Sequence, residues 1–267
     1  MYRAFLFIKR GLVTLISYKT ALALGIVGSF VGLLQFTFMG KFLNDGNSFP
    51  ALTSYGGNLL AYLIIGTAFS SFLGVSLSSF SSTIRSEQQM GTLEFLLLSN
   101  TRLEMILLYS GLMNFLQAFV NVALLLAIVI LVFGIPMDIN LPAAIAAMIL
   151  TVTSLSGIGL MSAGIIIVTK VGDPISWAFT SLTSLFSGVL FPVEYLPTYL
   201  RPISMLLPTT YALDALRLAL IKNASTASIA PQLTVLLILT LLTLPLGFIV
   251  LRIGYNRARY SGSLSQY

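Results

Sequence analysis

The chain has no cysteine and no histidine, and only 8% of its 267 residues are charged. Lack of cysteine excludes disulfides and thiol nucleophiles. Lack of histidine removes imidazole from any catalytic triad, zinc site or haem ligation, so no metal site of that kind is expected. The scarcity of charge is as restrictive. Soluble domains carry about 25% charged residues, and a soluble globule with 57% hydrophobic residues and a mean hydropathy of +0.97 would expose large apolar patches. The natural solvent of this chain is a lipid bilayer. The 14 basic residues outnumber 8 acidic ones but form no dense patch, which argues against a nucleic-acid partner. No string G-x-x-x-x-G-K-S/T is present to cradle the phosphates of ATP. No single span holds paired carboxylates, which with the missing His and Cys leaves an intramembrane enzyme short of parts.

What the chain does have is long uncharged intervals. A spanning helix needs about 20 mostly apolar residues. Such intervals run from Lys19 to Lys41, within Asp45 to Arg85 (the helix starting near Asn58), from Glu104 to Asp138, Asp138 to Lys170, Asp173 to Glu194, and Lys222 to Arg252. Six spans place both termini on one side. With the termini inside, the inner basic residues are Arg3, Lys9, Arg10, Lys19, Arg85, Arg102, Lys170, Arg252, Arg257 and Arg259. The outer ones are Lys41, Arg201, Arg217 and Lys222. The positive-inside rule therefore puts both termini in the cytoplasm. The first apolar run begins too late and runs too long for a cleavable signal peptide.

Three segments do not read as spans. Over residues 1–18, Phe5, Ile8, Leu12, Leu15 and Ile16 share one helical face, with Arg3, Arg10, Thr14 and Ser17 on another. This is an amphipathic helix in the inner interface or a basic anchor for the first span. The inner stretch 85–100 carries Glu87, Met90, Gly91 and Glu94 at helical spacing, with Leu93, Leu96 and Leu97 opposite, and Thr101 with Glu104 reads as a capping box for the third span. It is a surface for a soluble partner or a solvated connector. The outer stretch 192–222 holds Pro192, Pro197, Pro202 and Pro208 among apolar residues. Proline forbids one continuous span there, and the apolar content forbids an exposed loop, so short broken helices in the outer leaflet are expected. Asp214 and Arg217, three residues apart, are spaced to pair on one of them.

The strings Glu87…Gly91-Thr92-Leu93-Glu94-Phe95-Leu96-Leu97, and Ser187-Gly188-Val189-Leu190-Phe191-Pro192…Leu196-Pro197 followed by Leu207-Pro208-Thr209-Thr210-Tyr211-Ala212…Leu216-Arg217, resemble the two signatures of the type-2 permease family of ABC exporters. The resemblance implies an all-α polytopic membrane protein, one permease domain over 1–267. It implies six transmembrane helices, an N-terminal interface helix at 1–18 and a coupling helix at 85–100. It also implies a re-entrant outer segment at 192–222 and cytoplasmic termini. It further implies a multi-pass subunit of a membrane, expected to be a prokaryotic cell membrane, that dimerises with a copy or close relative and pairs with separate cytoplasmic ATPase subunits. ATP and magnesium would then sit on those partners, with no cofactor and no catalysis on this chain. Glu87, Gly91, Thr92, Leu93 and Glu94 would couple to the ATPase. Pro192, Glu194, Pro197, Pro208 and Arg217 would form the outer gate.

Serine and threonine concentrate on the second and fifth spans, where Ser71, Ser76, Ser79, Thr180, Ser184 and Ser187, with Phe72, are candidates for the translocation pathway. Each hydroxyl can also bond back to its own helix and serve packing alone. No charged residue falls in the middle of an expected span, which weighs against an ion-coupled carrier or channel, the alternative function.

Overall fold

The computed structural model describes residues 59–92, 103–133, 137–170 and 172–260, and isolated positions 28, 31, 34, 35, 38, 52 and 55. The interface helix expected at 1–18 and most of the first span lie outside the described residues. So do Leu93, Glu94 and Thr101. The described chain is helical and without strands. In order it forms α1 (Leu59–Gln89), α2 (Leu103–Phe133), α3 (Leu141–Thr169), α4 (Pro174–Phe186), a 3-10 turn (Val193–Tyr195), α5 (Arg201–Leu206), α6 (Pro208–Ile221) and α7 (Ala230–Tyr260).

Among the described residues, α1, α2, α3 and α7 are long and apolar enough to cross a bilayer. The fifth expected span differs. Its interval holds α4, whose 13 residues reach only about 20 Å. The helix ends at Phe186 because Gly188 adopts a φ of +82° and Pro192 follows. Prolines explain the other breaks as well. Pro174, Pro202 and Pro208 each stand in the first turn of a helix, where the missing N–H costs no bond. The outer segment is thus a series of short helices, as the proline spacing predicts.

α3 is the centre, packed against α7, α1, α6 and α4. Its closest neighbour is α7. Gly157 and Gly164 on α3 face Gly247 and Gly254 on α7, and a Cβ on any of the four would run into the backbone of the opposite helix. Both pairs are seven residues apart, so the small-residue rows stay in register along the crossing. The ends sort as an alternating bundle. Ile84 of α1, Leu103 and Leu107 of α2, Ile166 and Ile167 of α3, and Ala258 of α7 form one buried cluster. At the other end the backbone N–H of Asn140, before α3, donates to the carbonyl of Ala219 at 2.8 Å, and that of Asn223 donates to Asp138 at 3.0 Å. α6 is the most enclosed helix; Ala212, Leu213, Ala215, Leu216 and Ala219 have no exposed surface.

Candidate functional site

Along α1, Ser70, Leu73, Gly74 and Leu77 recur at i, i+3, i+4, i+7 and form one face. That face lines a cleft whose other wall is Phe179, Thr180, Thr183 and Ser184 of α4, closed by Leu155 of α3, Val189 and Thr209. Two of the candidate pathway residues, Thr180 and Ser184, therefore lie in it. The remaining ones do not. Ser71 is exposed on another face of α1, while Phe72, Ser76, Ser79 and Ser187 are buried inside the chain. The hydroxyls of α1 bond mostly to their own helix: Ser76 to the carbonyl of Phe72, Ser78 to Gly74, Ser82 and Thr83 to Ser79. Ser187 bonds to Thr183. Within one chain, back-bonding accounts for the hydroxyls of Ser76 and Ser187. The cleft of one chain is about 60 Å³, far below the about 300–1,000 Å³ of a small-molecule site.

The outer gate candidates are organised by Arg217, which is 2% exposed. Its Nη1 donates to the carbonyl of Gly188 at 2.8 Å, and Nη2 donates to those of Val189 at 3.0 Å and Tyr62 at 3.4 Å. The guanidinium lies 3.5 Å from the ring centroid of Tyr62, whose hydroxyl also donates to Gly188 at 2.6 Å. Carbonyls freed where a helix ends away from water need donors from the protein. Arg217 and Tyr62 supply them where α4 ends, and Gly66 leaves room for the guanidinium. The pairing of Asp214 with Arg217 suggested by their spacing is not formed. Asp214 instead accepts from the hydroxyl of Tyr55 and from Nε2 of Gln232, both at 2.7 Å. Burial pushes the Tyr55 phenol above its ordinary pKa, and the neighbouring Asp214 adds to this. Pro208 is buried at the start of α6, Pro192 is half-buried, and Glu194 and Pro197 are exposed. The carbonyls of Leu196 and Glu194 accept from Arg201.

At the end of α1 the expected coupling helix over 85–100 is not one element in its described part. Arg85 to Gln89 are the last turns of α1. Gly91 has a φ of +67°, its N–H bonds to the carbonyl of Gln88, and the N–H of Thr92 bonds to that of Glu87, each at 3.0 Å. This is a Schellman close, in which glycine at the left-handed position ends the helix. The face shared by Glu87, Met90 and Gly91 is therefore interrupted. Glu87 is largely buried and accepts from the Thr92 hydroxyl, so it holds the turn in place, whereas Met90 and Gly91 are exposed.

In the sequence Asp173 only bounds the fifth uncharged interval. It caps α4 by accepting from the N–H of Ser176 at 3.0 Å, and it also accepts from the hydroxyl of Ser162 on α3. Burial raises its pKa, but hydrogen bonds from Ser162, Ser81 and Ser176 outweigh that and hold the carboxyl below its ordinary value. The local signal was Asp-Pro opening a helix; the serines of α1 and α3 gave none. Tyr62 was missed for the same reason, since nothing near it in sequence points to residue 217.

A profile of the ABC-2 type transporter family matches residues 3–221. A comparison with curated proteins gives no match. The match takes in α1 to α6 and both signature strings, and with four membrane-length helices it makes this a multi-pass integral membrane protein. The chain belongs to the ABC-2 type transporter family, as a membrane-spanning permease subunit.

Proposed function

We propose that this chain is half of the membrane pathway of an ATP-driven exporter in a prokaryotic cell membrane. In this reading two such chains, or this one and a close relative, face each other across α1 and α4. Separate cytoplasmic ATPase subunits carry the ATP and magnesium, and the chain itself catalyses nothing. What supports the reading beyond the family is the exposure of α4. Only Ser176 and Thr183 of its 13 residues are buried, in a bundle whose neighbouring α6 is almost wholly enclosed. Trp177 is 74% exposed and shares a face with Thr180 and Ser184. A helix this bare, beside a cleft too small for a cargo, suits a surface that a second protomer completes. The turn at Gly91, with Glu94 following, would meet the ATPase. Arg217 does not favour the ion-carrier alternative, because backbone carbonyls fix it rather than leaving it to exchange a proton or ion. The test is purification of the tagged chain from its native membrane. Retention of a soluble P-loop ATPase in stoichiometric amount supports the reading, and a chain that transports without one refutes it.

A further inference from the structure

The outward face of α7 changes character along its length. Leu236, Thr240, Gly247, Leu251, Gly254 and Ala258 form the buried side of the helix. Opposite them, Leu241, Pro245, Phe248, Arg252, Asn256 and Arg259 recur every three or four residues, and all six are exposed. The first three present carbon and the last three present N–H donors. Gln232, held by Asp214, marks the other end of the helix. From there to Arg252 the helix runs about 30 Å, the thickness of a hydrocarbon core. Arg252 therefore stands where the hydrocarbon ends, and α7 continues for about 12 Å through the headgroup layer to Tyr260.

The cations there lack partners in the protein. Among the described residues no carboxylate pairs with Arg252, Arg257 or Arg259. Arg257 and Arg259 lie in the last turn of α7, where the helix dipole favours a cation. That effect fades within one turn and does not account for Arg252. Tyr255 and Tyr260 flank the stripe, and Tyr260 is 92% exposed, with an apolar ring and a polar tip suited to a boundary with water. A guanidinium offers paired donors to a phosphate. A soluble acidic partner would meet Arg259 more readily than Arg252, which shares its depth with the exposed Ile249 and Ile253.

We propose that this face of α7 binds an anionic phospholipid of the leaflet it meets, with Arg252, Asn256 and Arg259 holding the phosphate and the acyl chains lying along Phe248, Pro245 and Leu241. The proposal goes beyond the permease reading and needs only that α7 spans the bilayer.

The test uses the full chain in vesicles of phosphatidylcholine and phosphatidylglycerol, one of the two carrying brominated acyl chains. Bromine quenches a nearby tryptophan, and Trp177 is the sole one in the chain. In a Trp177→Phe background, Phe248→Trp reports the lipid beside Arg252, and Leu241→Trp reports the lipid further along the same face. Phosphatidylglycerol should be preferred by about fivefold at Phe248→Trp, the attraction of one basic residue near an anionic surface, and not at Leu241→Trp. Arg252→Gln should remove most of that preference, and Arg252→Lys should keep part of it. Arg85→Gln, which takes an exposed charge from the same end of the bundle, should leave it unchanged. Equal preference at the two tryptophans, or equal loss in Arg252→Gln and Arg85→Gln, would reduce the effect to general surface charge and overturn the proposal. Abolition of the preference by millimolar inorganic phosphate would overturn it by making the ligand a free anion. An unchanged preference in Arg252→Gln, joined to loss of a retained ATPase, would give the face to that soluble partner and overturn it as well. Failure of the permease reading shows separately, as a chain that retains no ATPase yet still prefers phosphatidylglycerol beside Arg252.

Discussion

Arg217 and Gly188 are joined by a 2.8 Å hydrogen bond from guanidinium to backbone carbonyl across 29 residues, at the point where α4 gives way to the outer segment. One buried cation thus ties three parts of the chain together: the end of α4, the start of α1 through Tyr62, and α6, on which it sits.

Loss of that cation should be costly. Hydrogen bonds to charged groups are each worth about 1.5–3 kcal/mol, and Arg217→Met removes three. Its melting temperature should fall steeply, whereas Tyr62→Phe, which loses one neutral bond, should lower it by only a few degrees. Arg217→Lys should lie between, because an ammonium keeps the charge but not the planar fork. Thermal unfolding of the three variants gives the order, and an unchanged Arg217→Met would refute the clamp.

Ser184→Trp and Ser187→Trp should behave differently although three residues separate them. Ser184 is exposed at the cleft, so tryptophan there should block transport and leave stability nearly unchanged. Ser187 is 1% exposed, and overpacking typically costs about 1–3 kcal/mol, so its variant should be destabilised. The exposed Leu241 of α7 serves as the lipid-facing control. Stability and transport measured on the same proteins decide this.

At the inner end, Glu94→Arg should weaken the ATPase complex, since reversing one member of an interfacial charge pair costs about 2–5 kcal/mol. Glu87→Gln should have little effect because an amide oxygen still accepts from Thr92, whereas Glu87→Ala should loosen the turn. Affinity for the purified ATPase separates the three, and an unaffected Glu94→Arg would remove that residue from the interface.

Orientation is open to a direct check, because the chain lacks cysteine. Cysteines introduced at Ser86 and Ser263 should react with a membrane-impermeant maleimide only from the cytoplasm. Those at Asn47 and Asn223 should react only from outside. Reaction of the Ser86 variant from outside would invert the topology.

Asp173 predicts an acid limb of stability. Its pKa is lowered in the folded chain, so between the folded value and the ordinary 3.8 the unfolded state binds more protons. Its contribution is complete above that ordinary value and is lost as pH falls through the folded one. Asp173→Asn should flatten this limb in an unfolding series against pH, and an unchanged limb would show that another group causes it.

Composition and local pattern alone determined the solvent of this protein, the spans now seen as α1, α2, α3 and α7, and the breaks of the outer segment. These rest on short-range physics: about 20 apolar residues cross a bilayer, and proline or glycine stops a helix wherever it stands. The length of α4 was nearly legible, since Gly188 and Pro192 lie inside its interval. Tertiary structure decided what the polar groups do. A serine reads the same in sequence whether its proton goes to the carbonyl four residues back or to a ligand, so density on α1 and α4 could not separate Ser70 and Ser184 at the cleft from Ser76 and Ser187 in the interior. Spacing put Asp214 within reach of Arg217, but each found other partners. The freed carbonyls of Gly188 and Val189 took the guanidinium, and Tyr55 and Gln232 took the carboxylate. Those partners lie 18 to 159 residues away, and only the folded chain brings them together.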